Sequence, residues 1–113
     1  MHSTLLSLLI APSAAPVSLQ GHNKSSTSIF VTWGQVPPSD RNGVILNYTV
    51  RYKEASHGSA KTVTVDESTN STTLKGLNKY TNYIITVFAS TIKGGGIVSA
   101  PIFVITDEDS KAG

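Results

Sequence analysis

From Tyr83 to Ser90 the side chains alternate without a break. Tyr83, Ile85, Val87 and Ala89 fall on one side, and Ile84, Thr86, Phe88 and Ser90 on the other. Successive side chains of an extended chain point to opposite faces, so a period of two predicts a β-strand. The same period recurs upstream. Ile29, Val31 and Trp33 alternate with Phe30 and Thr32, and Tyr48, Val50 and Tyr52 alternate with Asn47, Thr49 and Arg51. Nowhere do helix formers gather with a period of 3.6.

Turn signals separate these runs. Val36–Gly43 is dense in Pro, Asn, Asp and Gly; Ser56–Ser59 and Asp66–Asn70 are further turns; Lys93-Gly94-Gly95-Gly96 reads as a hairpin loop in which glycine supplies positive φ. Between them lie short strands over Thr62–Val65 and Ser71–Leu74, and a last strand over about Val98–Thr106. With a first strand that starts near Val17 and ends around His22, this makes seven short strands and no helix. Such a pattern predicts an all-β, two-sheet Greek-key sandwich with antiparallel pairing, since no crossover helix is available for parallel strands.

The chain of 113 residues fits one domain. It holds no cysteine, so neither a disulfide framework nor a thiolate metal site is available. Residues 1–15 read as a signal remnant, a linker or residues added in cloning, 16–106 as the domain, and 107–113 as an acidic tail or linker. The longest apolar stretch, Leu5–Ala11, is broken by Ser7 and is far short of the roughly 20 residues needed to span a bilayer. No direct membrane insertion is expected from this sequence. Up to Thr106 there are eight basic and four acidic residues, but the bases are scattered. A nucleic-acid partner calls for a clustered basic stripe, so none is expected.

Several motifs stand in order along one stretch: Ile29-Phe30-Val31-Thr32-Trp33; Gly43-Val44-Ile45-Leu46-Asn47-Tyr48-Thr49-Val50-Arg51-Tyr52; Leu77-Asn78-Lys79-Tyr80-Thr81-Asn82-Tyr83; Ile85, Val87 and Ala89; the glycine loop; and Ser99 with Pro101. Together they resemble a fibronectin type III domain over about Pro16 to Thr106, with Lys79 where that family usually has proline. The resemblance implies a structural core that includes Trp33, Tyr48, Val50, Leu77, Tyr83 and Val87. Trp33 is large enough to fill the space between sheets about 10 Å apart. Tyr83 fits a tyrosine corner, in which a buried ring sends its hydroxyl to backbone a few residues upstream. The family also implies a spacer or protein-binding role. Some members bind integrins through Arg-Gly-Asp in the loop before the last strand, and this chain has Thr91–Val98 there without that motif.

No catalytic constellation is found, and the chain is not expected to be an enzyme. His2, His22 and His57 lack acids or cysteines at ligand spacing, so no metal site is expected. Asp66-Glu67 and Asp107-Glu108-Asp109 read as solvated turns or tails. Gly94-Gly95-Gly96 joins two strands rather than opening a helix, so it is no phosphate cradle. No cofactor is implied. Three Asn-x-Ser/Thr sequons, at Asn23, Asn47 and Asn70, are candidate glycosylation sites.

The resemblance places the third, sixth and seventh strands in one sheet, and the alternation puts Thr49, Arg51, Ile84, Thr86, Phe88, Phe103 and Ile105 on its outer face. Arg51, Ile84, Phe88, Phe103 and Ile105 are therefore a candidate partner face. A one-residue slip in the last strand would turn Phe103 and Ile105 inward, and folding of Leu5–Ile10 over the face would cover it. The expected function is an extracellular or cell-surface module of a receptor or adhesion protein, spacing neighbouring domains and contacting proteins. An intracellular scaffold module of a muscle or cytoskeletal protein is the alternative, and an accessory module of a carbohydrate-acting enzyme a third reading.

Overall fold

The alternating run becomes a strand from Asn82 to Thr91 (β6) at the heart of an antiparallel sheet, in a computed structural model that describes residues 10–108. On one side β6 pairs with β3 (Asn47–Glu54), which in turn pairs with β4 (Lys61–Asp66). Its other side is shared between a two-residue strand, β7 (Gly94–Gly95), and β8 (Ile102–Ile105). Facing this sheet is a second, of three antiparallel strands in the order β1 (Gln20–Ser25), β2 (Ser28–Thr32) and β5 (Ser71–Leu74).

The inward residues of both sheets make one core. Ile29, Val31 and Leu74 from the smaller sheet join Val50, Ile85, Val87 and Ala89 from the larger, all essentially without solvent exposure. Each Val, Leu or Ile among them contributes about 1.5–3 kcal/mol on burial. Trp33 lies just past β2 and is buried, its ring 5.8 Å from that of Tyr48. Its backbone N–H donates to the Asn70 carbonyl at 3.1 Å, while its indole N–H finds no acceptor among the described residues. The tryptophan acts here as apolar volume.

A polar knot closes one end. The hydroxyl of buried Tyr83 accepts the backbone N–H of Asn78 at 2.8 Å. The Asn78 carbonyl accepts the Thr106 hydroxyl at 2.7 Å, and Thr106 Oγ1 accepts the backbone N–H of Thr81 at 2.9 Å. Thr106 is 1% and Tyr83 5% exposed, so their hydroxyls are satisfied by these bonds where water has little access and an unmade bond is costly. The knot ties the loop before β6 to the residue after β8. Tyr80 in that loop adopts φ of 46°, and its N–H donates to the Asp107 carbonyl at 3.0 Å.

The structure departs from expectation at strand ends. The first strand starts at Gln20, and His22 lies within it rather than at its end. Regular pairing of the third strand begins at Asn47, leaving Gly43–Leu46 outside it. The last strand is only Ile102–Ile105. Before it, Ser99 Oγ takes the Val87 N–H at 3.0 Å in place of a backbone carbonyl, and Pro101 has no N–H to give. The Gly94–Gly95 pairing, β7, is the strand added to the seven expected. Only Gly94 of the triplet has positive φ, at 122°. The other two permit close approach: a Cβ on Gly95 would come within 2.7 Å of the Phe88 ring, and one on Gly96 within 2.6 Å of Pro12.

Trp33→Ala should cost roughly 3–5 kcal/mol in denaturant unfolding, the usual loss on emptying a large aromatic site. Thr32→Ala, on the opposite face, should cost little; equal losses would contradict the register. Tyr83→Phe should cost about 1–3 kcal/mol because the Asn78 N–H is left without its partner. Combined with Thr106→Val, the loss should depart from additivity, since both side chains hold Asn78. Additive losses in a double-mutant cycle would show that the two bonds act independently.

Candidate functional site

The pairing register decides which side chains share the outer face of the larger sheet. Lys53, Ile84 and Phe103 are direct neighbours across β3, β6 and β8, and Arg51 lies opposite Thr86 in the adjoining row. Ile105 stands opposite Asn82, two residues along from Phe103. Side chains directly opposed on one face have Cβ atoms about 4.5–5.5 Å apart, so Ile84 and Phe103 meet. Phe103 is 59% exposed and Ile105 50%, while Ile84 is half-buried. Arg51, Lys53, Ile84 and Thr86, with Tyr52 and Ala60, line a shallow depression of about 190 Å³.

Phe88 stands apart from this cluster. It opposes Thr49, four residues along β6 from Ile84, and its ring leans over Gly95, half-buried. Thr49 is itself buried rather than exposed, its hydroxyl 3.1 Å from that of Thr64. β4 completes this face with Thr62 and Thr64. Ile10 sits at the pole of the domain, its N–H directed to the Asn42 carbonyl at 3.4 Å and its own carbonyl accepting Thr91 Oγ1 at 3.1 Å. Residues 5–9 of the apolar stretch expected as an alternative cover lie outside the described residues.

A second apolar surface, absent from the sequence reading, lies at that pole. Asn42, Gly43, Val44, Leu46, Thr91 and Ile92 surround a depression of about 260 Å³, with Val44 77% and Ile92 80% exposed. No periodic signal marks it, because Val44 precedes its strand and Ile92 follows one.

The three sequon asparagines are far apart. Asn23, on β1, is exposed and donates through Nδ2 to the Ile105 carbonyl at 2.9 Å. Asn47 opens β3 on the outer face between Asp66 and Ser90, half-buried. Asn70 is exposed in the β4–β5 turn. That turn is organised by the Asp66 carboxylate, which accepts the Ser68 N–H at 3.0 Å and the hydroxyls of Ser68 and Thr69, each at 2.8 Å. Among the described residues no group of three or more His, Asp or Glu is placed to hold a metal ion. His57 instead faces Glu54 at 3.6 Å and the Ser56 hydroxyl at 2.9 Å, and His22 packs its ring 5.6 Å from Phe30.

The hydrogen bonds from Ser68 and then Thr69 hold the Asp66 carboxyl below the usual carboxylate range. With the folded value depressed, the support it lends the turn is complete above that range and is lost as pH falls below it through the lower folded value. An NMR titration of the Asp66 carboxyl carbon should show a low midpoint that rises when Ser68 is changed to Ala. An unmoved midpoint would mean these bonds do not set it.

Residues 14–105 match the fibronectin type III domain family. Phosphatidylinositol phosphatase PTPRQ of Rattus norvegicus is 40% identical over 111 residues, which is 96% of this chain and 5% of that protein. Protein sidekick-1 of Gallus gallus is 39% identical over 105 residues, 90% of this chain and again 5% of that protein. The chain therefore spans about one twentieth of the length of these curated relatives. Among solved structures, fibronectin domains of chicken CNTN1 superpose with a TM-score of 0.79 at 31% identity, covering 87% of this chain and 33% of that one. The third fibronectin III domain of the human KIAA0343 protein gives a TM-score of 0.81 at 25% identity, covering 91% and 89%. With the match extending over most of its length and the same two-sheet fold, this chain belongs to the fibronectin type III domain family.

Proposed function

We propose that this module works outside the cell, within a receptor or adhesion protein, as a non-catalytic spacer that also contacts a protein partner through the outer face of its larger sheet. The observation that carries the reading is the apolar group made by exposed Phe103 and Ile105 with half-buried Ile84 beside Phe103. Single apolar residues on a surface need no account, but a contiguous group marks an interaction surface. The outer face of an antiparallel sheet is ordinarily polar, which makes the group more informative. Its rigidity suits recognition, because the backbone beneath is hydrogen-bonded from β4 through β8.

The extracellular setting is supported by the three sequons, one of them in the exposed β4–β5 turn. It is also supported by relatives such as the receptor-type tyrosine-protein phosphatase F of Mus musculus, 37% identical over 105 residues. The chain spans 6% of that protein, and its phosphatase activity is not carried over to this module. No observation favours the intracellular scaffold alternative.

Expression in a secreting eukaryotic host should attach glycan to Asn70, with Asn47 and Asn23 as the other acceptors, and mass spectrometry of the secreted chain checks it. Three unmodified sequons would count against the extracellular reading. Phe103→Ser should leave the unfolding midpoint nearly unchanged while weakening capture of a protein partner from a panel of cell-surface ectodomains. Phe88→Ser, in contrast, should cost stability, because that ring is half-buried against Gly95. Unfolding of Phe103→Ser would show that its side chain is structural, and the face would lose its assignment.

A further inference from the structure

We infer that the outer face takes a protein segment in which acidic side chains flank apolar ones, with Arg51 and Lys53 reading the acids and Ile84, Phe103 and Ile105 the apolar groups. This rests on the reading of that face as the partner surface. The two cations stand on β3 beside the apolar row: Lys53 directly opposite Ile84, and Arg51 one row along. Neither side chain makes an ion pair or hydrogen bond among the described residues. The acids on the strands of this sheet are already engaged. Glu54 meets His57 and the Asn78 side chain, and Asp66 meets Ser68 and Thr69. Asp107 lies beyond the end of β8.

The face thus carries unneutralised positive charge directly beside exposed apolar area. Opposite potentials across an interface speed encounter and select partners, whereas like charges exclude them. A basic partner would be repelled, and an uncharged apolar one would leave the cations idle at the rim. Arg51, Lys53 and Ile84 border the same shallow depression, so an acidic residue next to an aliphatic or aromatic one meets both features at once. Arginine adds a fork that can hold a carboxylate through two bonds.

The test is selection of a displayed library of linear peptides on the full chain. Affinities of synthetic copies of the enriched peptides are then measured for the parent, Arg51→Glu/Lys53→Glu and Phe103→Ser chains. Enriched peptides should combine Asp or Glu with aliphatic or aromatic residues. Charge reversal should weaken them on the order of tenfold or more, the scale of two lost surface ion pairs. Raising the salt concentration should weaken them as well. Phe103→Ser should weaken the same peptides. Enriched peptides without acids, or binding unmoved by charge reversal but lost in Phe103→Ser, would overturn the acidic partner and leave the face standing. Binding indifferent to both variants, or no enrichment, would overturn the face and the acidic partner together. Sedimentation showing a dimer that Phe103→Ser dissociates would assign the face to a second copy and overturn the inference.

Discussion

Everything in this domain hangs on two sheets meeting through the inward sides of β2 and β6. Ile29 and Val31 on one, and Ile85, Val87 and Ala89 on the other, are shut off from water. Because side chains alternate, burying these residues sends their neighbours outward. The same constraint that makes the core therefore makes the surface. Ile84, Thr86 and Phe88 face out because Tyr83, Ile85, Val87 and Ala89 face in. A slip of one residue would exchange the two sets and bring Thr86 and Ser90 into an apolar interior, where unpaired hydroxyls are costly.

The ends of the sandwich depend on polar groups instead. At one end Tyr83, Asn78, Thr81 and Thr106 satisfy one another, and this fixes where β8 finishes relative to β6. At the other end the chain enters between the loops around Asn42 and Gly96. Ser13 N–H donates to the Asp40 carbonyl at 2.8 Å, and the Asn42 side chain donates to the Ala11 carbonyl at 3.1 Å. Arg41 stiffens the first of these loops by donating to the Val36 carbonyl and to Gln35, both at 2.8 Å. The strands between are consequently held at both ends, and a surface built on them is presented without much rearrangement.

Function in such a module resides in what its surface carries, because the fold itself is shared by proteins of many kinds. Here the larger sheet offers apolar area with cations at its border, and the smaller sheet bears the exposed His22, Asn23 and Lys24 on β1. The asymmetry follows from strand composition. β6 and β8 contribute Ile and Phe on alternate outward positions, whereas β4 contributes threonines.

The fold and much of the outer face were legible in the sequence, since both follow from a period of two that the chain displays openly. Ile29 to Trp33 and Tyr83 to Ser90 state their own facing, and the order of motifs names the family. Three things were decided only in three dimensions. The last strand shortened to Ile102–Ile105 because a serine hydroxyl took over a ladder bond, which no propensity reveals. The glycines at 95 and 96 proved to be spaces for Phe88, across the β6–β7 hairpin, and for Pro12, more than eighty residues upstream. The placing of Lys53 opposite Ile84 and Phe103 required the register of three strands at once. Local pattern specifies which way a side chain points; only the assembled sheet specifies what stands beside it.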